Sequence, residues 1–303
     1  MIEAAALRAL TMIAATGSVA AAADGLGYTP SAVSQQVKRL EAQVGVPLLE
    51  RAGRGVILTA PGKALAANAP EVFAAMERAV DAARSRSAQP TGTLRVAAFS
   101  TAVRGLLVPR LPTLATRHPL LRVSIDEADP DQAAHALSAG TADAAILHDA
   151  ADLPGLPSGL RIEPVHLDAG DVIVRDDHPL AASHSVTAAD LAGYAWVTSP
   201  PGTACYDWFQ RLFADRPRPE VRHRVDDFST QVALVAAGGA IALVPRLGRP
   251  PLPPGLRPVA VEPLPTRSVE LAWRVSSADN PAVAALLDVL RPSDVAPREP
   301  SSY

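Results

Sequence analysis

The chain has 303 residues, enough for two or three domains that each bury a core of their own. A formal net charge of -3 and a pI near 6.2 exclude a molecule that coats nucleic acid or an anionic membrane over its whole surface. The single cysteine, Cys205, excludes an internal disulfide framework and fits a reducing, cytoplasmic setting. The seven histidines have no metal-ligand spacing, so neither metal nor cofactor is expected, and no apolar run reaches transmembrane length, so no membrane partner is expected either.

The opening "MIEAAALRALTMIAATGSVAAAADG" is apolar and rich in small residues, but Glu3 offsets Arg8 and Gly17-Ser18 interrupts the run, so it reads as folded chain rather than an export leader. Leu7, Leu10 and Ile13 recur at helical spacing over residues 3–16, and Gly17 ends that helix. Ser18 can cap a second helix over 19–26. Gly27-Tyr28 forms a break, and Thr29 can cap a third helix with Pro30 at its first position, where a missing amide hydrogen costs nothing. Two helices joined by a short Gly-containing turn make a helix-turn-helix.

In the third helix Val33, Val37, Leu40 and Val44 form an inward stripe, while Ser31, Gln35, Lys38 and Arg39 share the opposite face. "VPLLERAGRGVILT" then reads as a hairpin wing that carries Arg51 and Arg54. Residues 1–63 hold six basic and four acidic side chains, so this part of the chain has a small positive excess while the rest is negative. Thr59 caps a long helix in which Val72, Phe73, Met76 and Val80 predict an apolar seam for pairing with a second chain, and Pro70 predicts a kink or a split. "SAQPTG" closes it as a linker.

From Leu94 onward short apolar strands alternate with helices, the pattern of a parallel sheet. Strands are predicted at "LRVAAF", "LRVSIDEA", "ADAAILH", "DVIVR", "AWVTS", "VRHRV", "AIALVP" and "VELAWRV". Helices are predicted near 103–117, 131–139, 204–215, 228–237 and 281–290. The tail from 292 to 303 has the composition of a disordered end.

The stretch "TGSVAAAADGLGYTPSAVSQQVKRLEAQVGVPLLERAGRGVILTAPG" resembles the winged helix-turn-helix of LysR-type transcriptional regulators. "RHP", "SAGTADAAI", "DDHPLA" and "AAGGAIALVP" follow in that family's order. The resemblance implies an α/β fold with an N-terminal α-helical winged helix-turn-helix domain over 1–60, a linker and dimerisation helix over 61–90, and a two-lobed periplasmic-binding-protein-like effector domain over 91–291. Lobe one would hold about 91–161 and 267–291, and lobe two about 162–266, with crossings near "LRIEPVHL" and "PTRSVELAW".

It further implies a DNA-binding transcription regulator that binds an interrupted inverted repeat in double-stranded DNA as a homodimer through the linker helix and as a dimer of dimers. RNA polymerase is a partner if the protein activates. A helix fits the major groove, where Gln reads adenine and Arg reads guanine. The expected DNA-binding residues are Ser18, Thr29, Pro30, Ser31, Ser34, Gln35, Lys38, Arg39, Arg51 and Arg54. Position 29 is often Gln in the family, so Thr29 is expected to alter the preferred site.

A small-molecule effector is expected at the carboxyl ends of the strands, where helix amides are free. The expected effector-binding residues are Ser100, Thr101, His148, Ser199, Gly202, Thr203, Phe228 and Ser229, a set of hydroxyls and amides that suits a small carboxylate. Their bland roles are as helix caps for Ser100, Thr101 and Ser229, as core for Phe228 and as a strand-end residue for His148. Cys205, near a helix start, raises the question of oxidant sensing, although it lacks an internal partner. An enzyme is disfavoured because no Gly-x-Ser-x-Gly elbow, phosphate-cradling loop or metal pair is present. The remaining alternative, a solute-binding protein without a DNA-binding role, leaves the first 90 residues unexplained.

Overall fold

A computed structural model describes residues 2–52, 55–84 and 89–291. The chain begins with α1 (Ala4–Thr16), α2 (Val19–Leu26) and α3 (Pro30–Val44), followed by the hairpin β1 (Leu49–Ala52) and β2 (Gly55–Leu58) and the long α4 (Ala60–Arg84). Local chemistry sets each boundary. Ser18 Oγ accepts the Ala21 amide at 3.0 Å and Thr29 Oγ1 accepts that of Ala32 at 3.2 Å, while Gly17, Gly27 and Gly45 close the three helices in the left-handed conformation.

Leu7, Leu10, Ile13, Ala22, Ala23, Val33, Val37 and Leu40 are all buried and hold the three helices together. Val44, expected on the inward stripe, is exposed, because it sits in the last turn before Gly45, beyond the reach of α1.

Two expectations for α4 change. The helix runs unbroken through Pro70, since packing of Ala66, Ala69 and Phe73 onto the first helices holds it on both sides of the lost hydrogen bond. The expected seam also splits. Phe73 is buried against Leu7 and Ala69, with the Arg8 guanidinium 5.4 Å from its ring centre, whereas Val72 and Met76 are exposed. The Val80 side chain lies outside the described residues.

The rest of the chain builds one mixed ten-stranded sheet. The first half has β3 (Gly92–Ala98), α5 (Ser100–Ala102), α6 (Leu111–Arg117), β4 (Leu121–Glu127), α7 (Pro130–Ser138), β5 (Ala144–His148) and the 16-residue β6 (Leu160–Arg175). The second has β7 (Ser185–Thr187), α8 (Ala188–Leu191), β8 (Trp196–Thr198), α9 (Ala204–Leu212), β9 (Val221–Arg224), α10 (Phe228–Ala237), β10 (Ile241–Pro245), β11 (Leu256–Glu262), β12 (Thr266–Arg274) and α11 (Pro281–Leu290).

The strand order is β4-β3-β5-β12-β6-β10-β8-β9, with β11 on β6 and β7 on β11. β3, β4 and β5 are mutually parallel, as are β8, β9 and β10, but β12 is antiparallel to both β5 and β6. The sheet is therefore mixed rather than purely parallel. β6 pairs with β12 through Ala169 and with β10 and β11 from Gly170 onward, so this one strand belongs to both halves.

The helix expected over 103–117 is broken into a π turn at Val103–Leu107, a 3-10 turn at Val108–Arg110 and α6, consistent with the two prolines at 109 and 112.

Candidate nucleic-acid interface and effector cleft

On α3, Thr29, Pro30, Ser31, Gln35, Lys38 and Arg39 are exposed and Ser34 is half-buried. Four of the hydroxyls already have partners inside the motif: Thr29 Oγ1 lies 3.0 Å from Ser31 Oγ, Ser34 Oγ donates to the Pro30 carbonyl at 2.9 Å, and Ser18 caps α2. The long polar groups of Gln35, Lys38 and Arg39 are thus the ones on this face that carry side-chain reach. Arg51 is exposed on β1, and Arg54 lies outside the described residues.

Sequence reasoning missed how the wing is fastened. Glu41 Oε1 accepts the Leu48 and Leu49 amides at 2.8 and 3.1 Å, and Thr59 Oγ1 donates to the Pro47 carbonyl at 2.8 Å. Gly62 lets the start of α4 pass over this turn, for a Cβ there would lie 2.1 Å from the Leu48 carbonyl oxygen. A carboxylate seven and eight residues from the amides it binds leaves no local pattern in a sequence.

Between the two halves of the sheet lies a cavity of about 320 Å³. Of the expected effector residues, Ser100, Thr101, His148, Thr203 and Phe228 line it. Ser199 is buried beside Gln231, Gly202 lines a smaller neighbouring recess, and Ser229 is exposed away from the wall. The cavity wall also includes Glu127, Asp129, Gln132, Cys205, Asp226 and Asp227, none of which the sequence reading placed there.

Behind Thr101 and Cys205 stands Arg267, fully buried. Its Nη2 is 2.9 Å from Asp168 Oδ2 and donates to Thr101 Oγ1 at 2.8 Å, while Nη1 lies 3.9 Å from Cys205 Sγ. The guanidinium also sits 5.1 Å from the Phe99 ring centre and 5.4 Å from that of Trp208. Asp168 Oδ1 accepts the Leu247 amide at 2.8 Å. This one ion pair therefore touches β3's end, α9, β6 and the turn after β10.

The titratable groups respond to burial. The His148 imidazole is held below its ordinary pKa by burial, opposed by the hydrogen bond to Asp149 and reinforced by the Arg267 charge. Burial pushes the Cys205 thiol up to about 11, although Arg267 acts to lower it. The Asp129 carboxyl is raised to about 6 by burial first and then by Asp226, Asp131 and Glu127.

Two contacts span the halves away from the cavity. Arg211 on α9 pairs with Asp149 and, at 3.4 Å, with Asp152 beyond β5. Gly105 and Gly248 meet so closely that a Cβ on Gly105 would lie 2.4 Å from the Gly248 amide nitrogen.

Residues 4–63 match the model of the bacterial regulatory helix-turn-helix protein, lysR family, and residues 87–294 match the LysR substrate binding domain. The chain is 30% identical over 291 residues to a probable HTH-type transcriptional regulator, LrrA, of Synechococcus elongatus, covering 94% of this chain and 95% of the relative. It is 28% identical over 267 residues to the DNA-binding transcriptional dual regulator OxyR of Escherichia coli, covering 84% of each. Among solved structures it is similar to full-length CbnR, a LysR family transcriptional regulator, with a TM-score of 0.55 and 26% identity over 95% of this chain and 100% of the other. The chain therefore belongs to the LysR family of DNA-binding transcription regulators, a helix-turn-helix followed by an effector-binding domain.

Proposed function

We propose that the protein is a cytoplasmic, non-enzymatic regulator whose exposed α3 face reads an interrupted inverted repeat and whose cleft between two lobes takes the controlling small molecule. The domain limits that go with this reading are 1–60, 61–90 and 91–291. The observation that carries it is the exposed run of Gln35, Lys38 and Arg39 on a helix whose other face is buried in the motif's core. Gln35 supplies base discrimination, while Lys38, Arg39, Arg51 and Arg54 supply attraction to phosphates. A domain with so small a positive charge holds DNA weakly alone, which favours two or more copies on one site. The exposed Val72 and Met76 on α4 offer a homodimer contact, with a dimer of dimers above it and RNA polymerase as a partner at activated promoters.

Control requires two arrangements that the ligand distinguishes. Arg211 to Asp149 and Asp152 is an exposed tie between lobes that closure or rotation would tighten or break. A second support for coupling is the segment 127–132. Glu127, Ala128 and Gln132 line the effector cavity and also a second cavity walled by Met12, Asp24 and Leu26 of the helix-turn-helix. A ligand that moves this segment moves one wall of a cavity whose other wall is the helix-turn-helix.

The test is binding of the purified protein to DNA from immediately upstream of its own coding region, titrated with salt and competed with unrelated DNA. Tight binding that survives competitor supports the reading. Binding lost equally to any competitor, together with a genome-wide search that finds no site, overturns it.

A further inference from the structure

We propose that Glu41 is a positioning residue for DNA binding: its carboxylate, carried on the recognition helix α3, holds the wing at the angle from which Arg51 reaches the phosphates. This rests on the reading of Arg51 as a phosphate contact and names the side chain that makes the contact possible. The first support is that Glu41 spans the whole turn between helix and wing. Its carbonyl accepts the Gly45 amide at 2.8 Å, where α3 ends in the left-handed conformation. Its side chain reaches the other end of the turn, where Oε1 accepts the amides of Leu48 and of Leu49, the residue with which β1 begins. One residue therefore fixes both the last turn of the recognition helix and the first residue of the wing.

The rest of the wing's attachment sets its place but not its direction relative to α3. The hairpin has four residues on each strand, too few to hold a shape alone. Leu48 is fully buried in the core of the helix-turn-helix, and Leu49, Val56 and Leu58 pack half-buried against that core. Apolar contacts of this kind are non-directional. Thr59 ties the turn to the start of α4, since its hydroxyl donates to the Pro47 carbonyl at 2.8 Å and its amide to the Leu48 carbonyl at 3.0 Å. Among the described residues, the side-chain hydrogen bonds that join the turn to α3 are those of Glu41. A carboxylate accepting two amides is a short-range, directional restraint. Arg51 stands two residues along β1 from Leu49, on the same side of the strand, so a change of angle at Leu49 carries the guanidinium with it.

The sign of the effect separates positioning from charge. Glu41 lies two residues beyond Arg39 on a helix that approaches a polyanion, so on charge alone its carboxylate repels DNA and its removal strengthens binding. A positioning role has the opposite sign. The repulsion is offset by preorganisation, because α3 and the wing then meet DNA as one rigid body with no hairpin left to order on binding.

The experiment measures binding of the full-length protein to a fluorescent random-sequence duplex by anisotropy, over a series of salt concentrations at pH 7.5, with thermal unfolding in parallel. Glu41→Gln keeps an oxygen acceptor of the same reach, Glu41→Asp keeps the charge but is one methylene shorter, and Glu41→Ala removes both. Glu41→Gln should bind at least as tightly as the native protein with an undiminished salt slope. Glu41→Ala and Glu41→Asp should bind about fivefold or more weakly, with the slope reduced by about one, the share of one lost phosphate contact. Arg51→Ala should weaken the native protein but add little in the Glu41→Ala background, where the wing no longer delivers the guanidinium. Tighter binding by Glu41→Ala reduces the residue to a charge and overturns the proposal, as does an Arg51→Ala loss of equal size in both backgrounds. If Glu41→Ala fails to fold, the other two variants decide, and equal affinities for Glu41→Asp and Glu41→Gln overturn it. Native affinity in Arg51→Ala sinks the reading of the wing as a DNA contact and the proposal with it, whereas a loss there with none at Glu41 overturns the positioning role alone.

Discussion

Arg267 and Asp168 meet at 2.9 Å with both side chains buried, on the antiparallel pair β12 and β6, of which β6 continues into the second half of the effector domain. Arg267 also reaches Thr101 in the first half and Cys205 in the second, so the pair ties the lobes to a common floor. Removing one partner leaves the other charge buried and alone. Asp168→Ala should therefore cost about 3 to 5 kcal/mol of stability, measured by denaturant unfolding, whereas the double replacement Asp168→Leu with Arg267→Met should cost less than either single change. Equal losses in all three variants would mean that the pair adds nothing beyond packing.

Gly62→Ala tests the junction of wing and linker helix. The added methyl group would stand 2.1 Å from the Leu48 carbonyl oxygen, so backbone must move. The expected loss is about 2 kcal/mol, with DNA affinity falling as the wing shifts, read by unfolding and by anisotropy. Gly193→Ala, with nothing within 4 Å of its added Cβ, is the control.

Gln35→Ala should lower the ratio of specific to nonspecific DNA binding, by about 1 to 3 kcal/mol if the contact is bidentate. Arg51→Ala should weaken binding to all sequences alike and reduce the salt slope by about one. A specificity ratio unchanged in the Gln35 variant would show that another face of α3 reads the bases.

Asp129 predicts a pH dependence. Its folded pKa of about 6 lies above the ordinary carboxylate value, so the folded state holds the proton more tightly than the unfolded one. Its contribution to stability is full at low pH and is lost as pH rises through 6, where the carboxylate faces Glu127, Asp131, Asp226 and Asp227. Asp129→Asn should thus raise stability at pH 7.5 by about 1 kcal/mol after solvent screening and change little at pH 4. Destabilisation at pH 7.5 would mean that the carboxylate has a cationic partner in solution.

Cys205 has its thiol pushed up to about 11 by burial, which leaves about one part in ten thousand as thiolate at neutral pH. Iodoacetamide should label it slowly at pH 7 and faster by about tenfold per pH unit up to 9. Rapid labelling at pH 7, or loss of DNA binding on brief peroxide treatment that Cys205→Ser prevents, would make the thiol a sensor.

The amino-acid sequence by itself determined the helix-turn-helix, because caps such as Ser18 and Thr29, stops such as Gly17 and Gly45, and the buried Val33, Val37 and Leu40 act within a few residues of chain. Most strands and helices of the effector domain were legible for the same reason, and so were five of the eight cleft residues, which sit at the ends of predictable elements. Tertiary structure alone decided what depends on distant partners. Phe73 and Val72 look alike in a seam, yet one packs on α1 and the other is exposed. Glu127, Asp129 and Asp226 read as ordinary surface charges until folding brings them to one wall. Arg267 lay in a stretch recognised only as a crossing strand, and its meaning comes from Asp168, 99 residues away. Hydrophobic period and capping are local forces, whereas the charge of a cleft is a sum over groups that only the folded chain assembles.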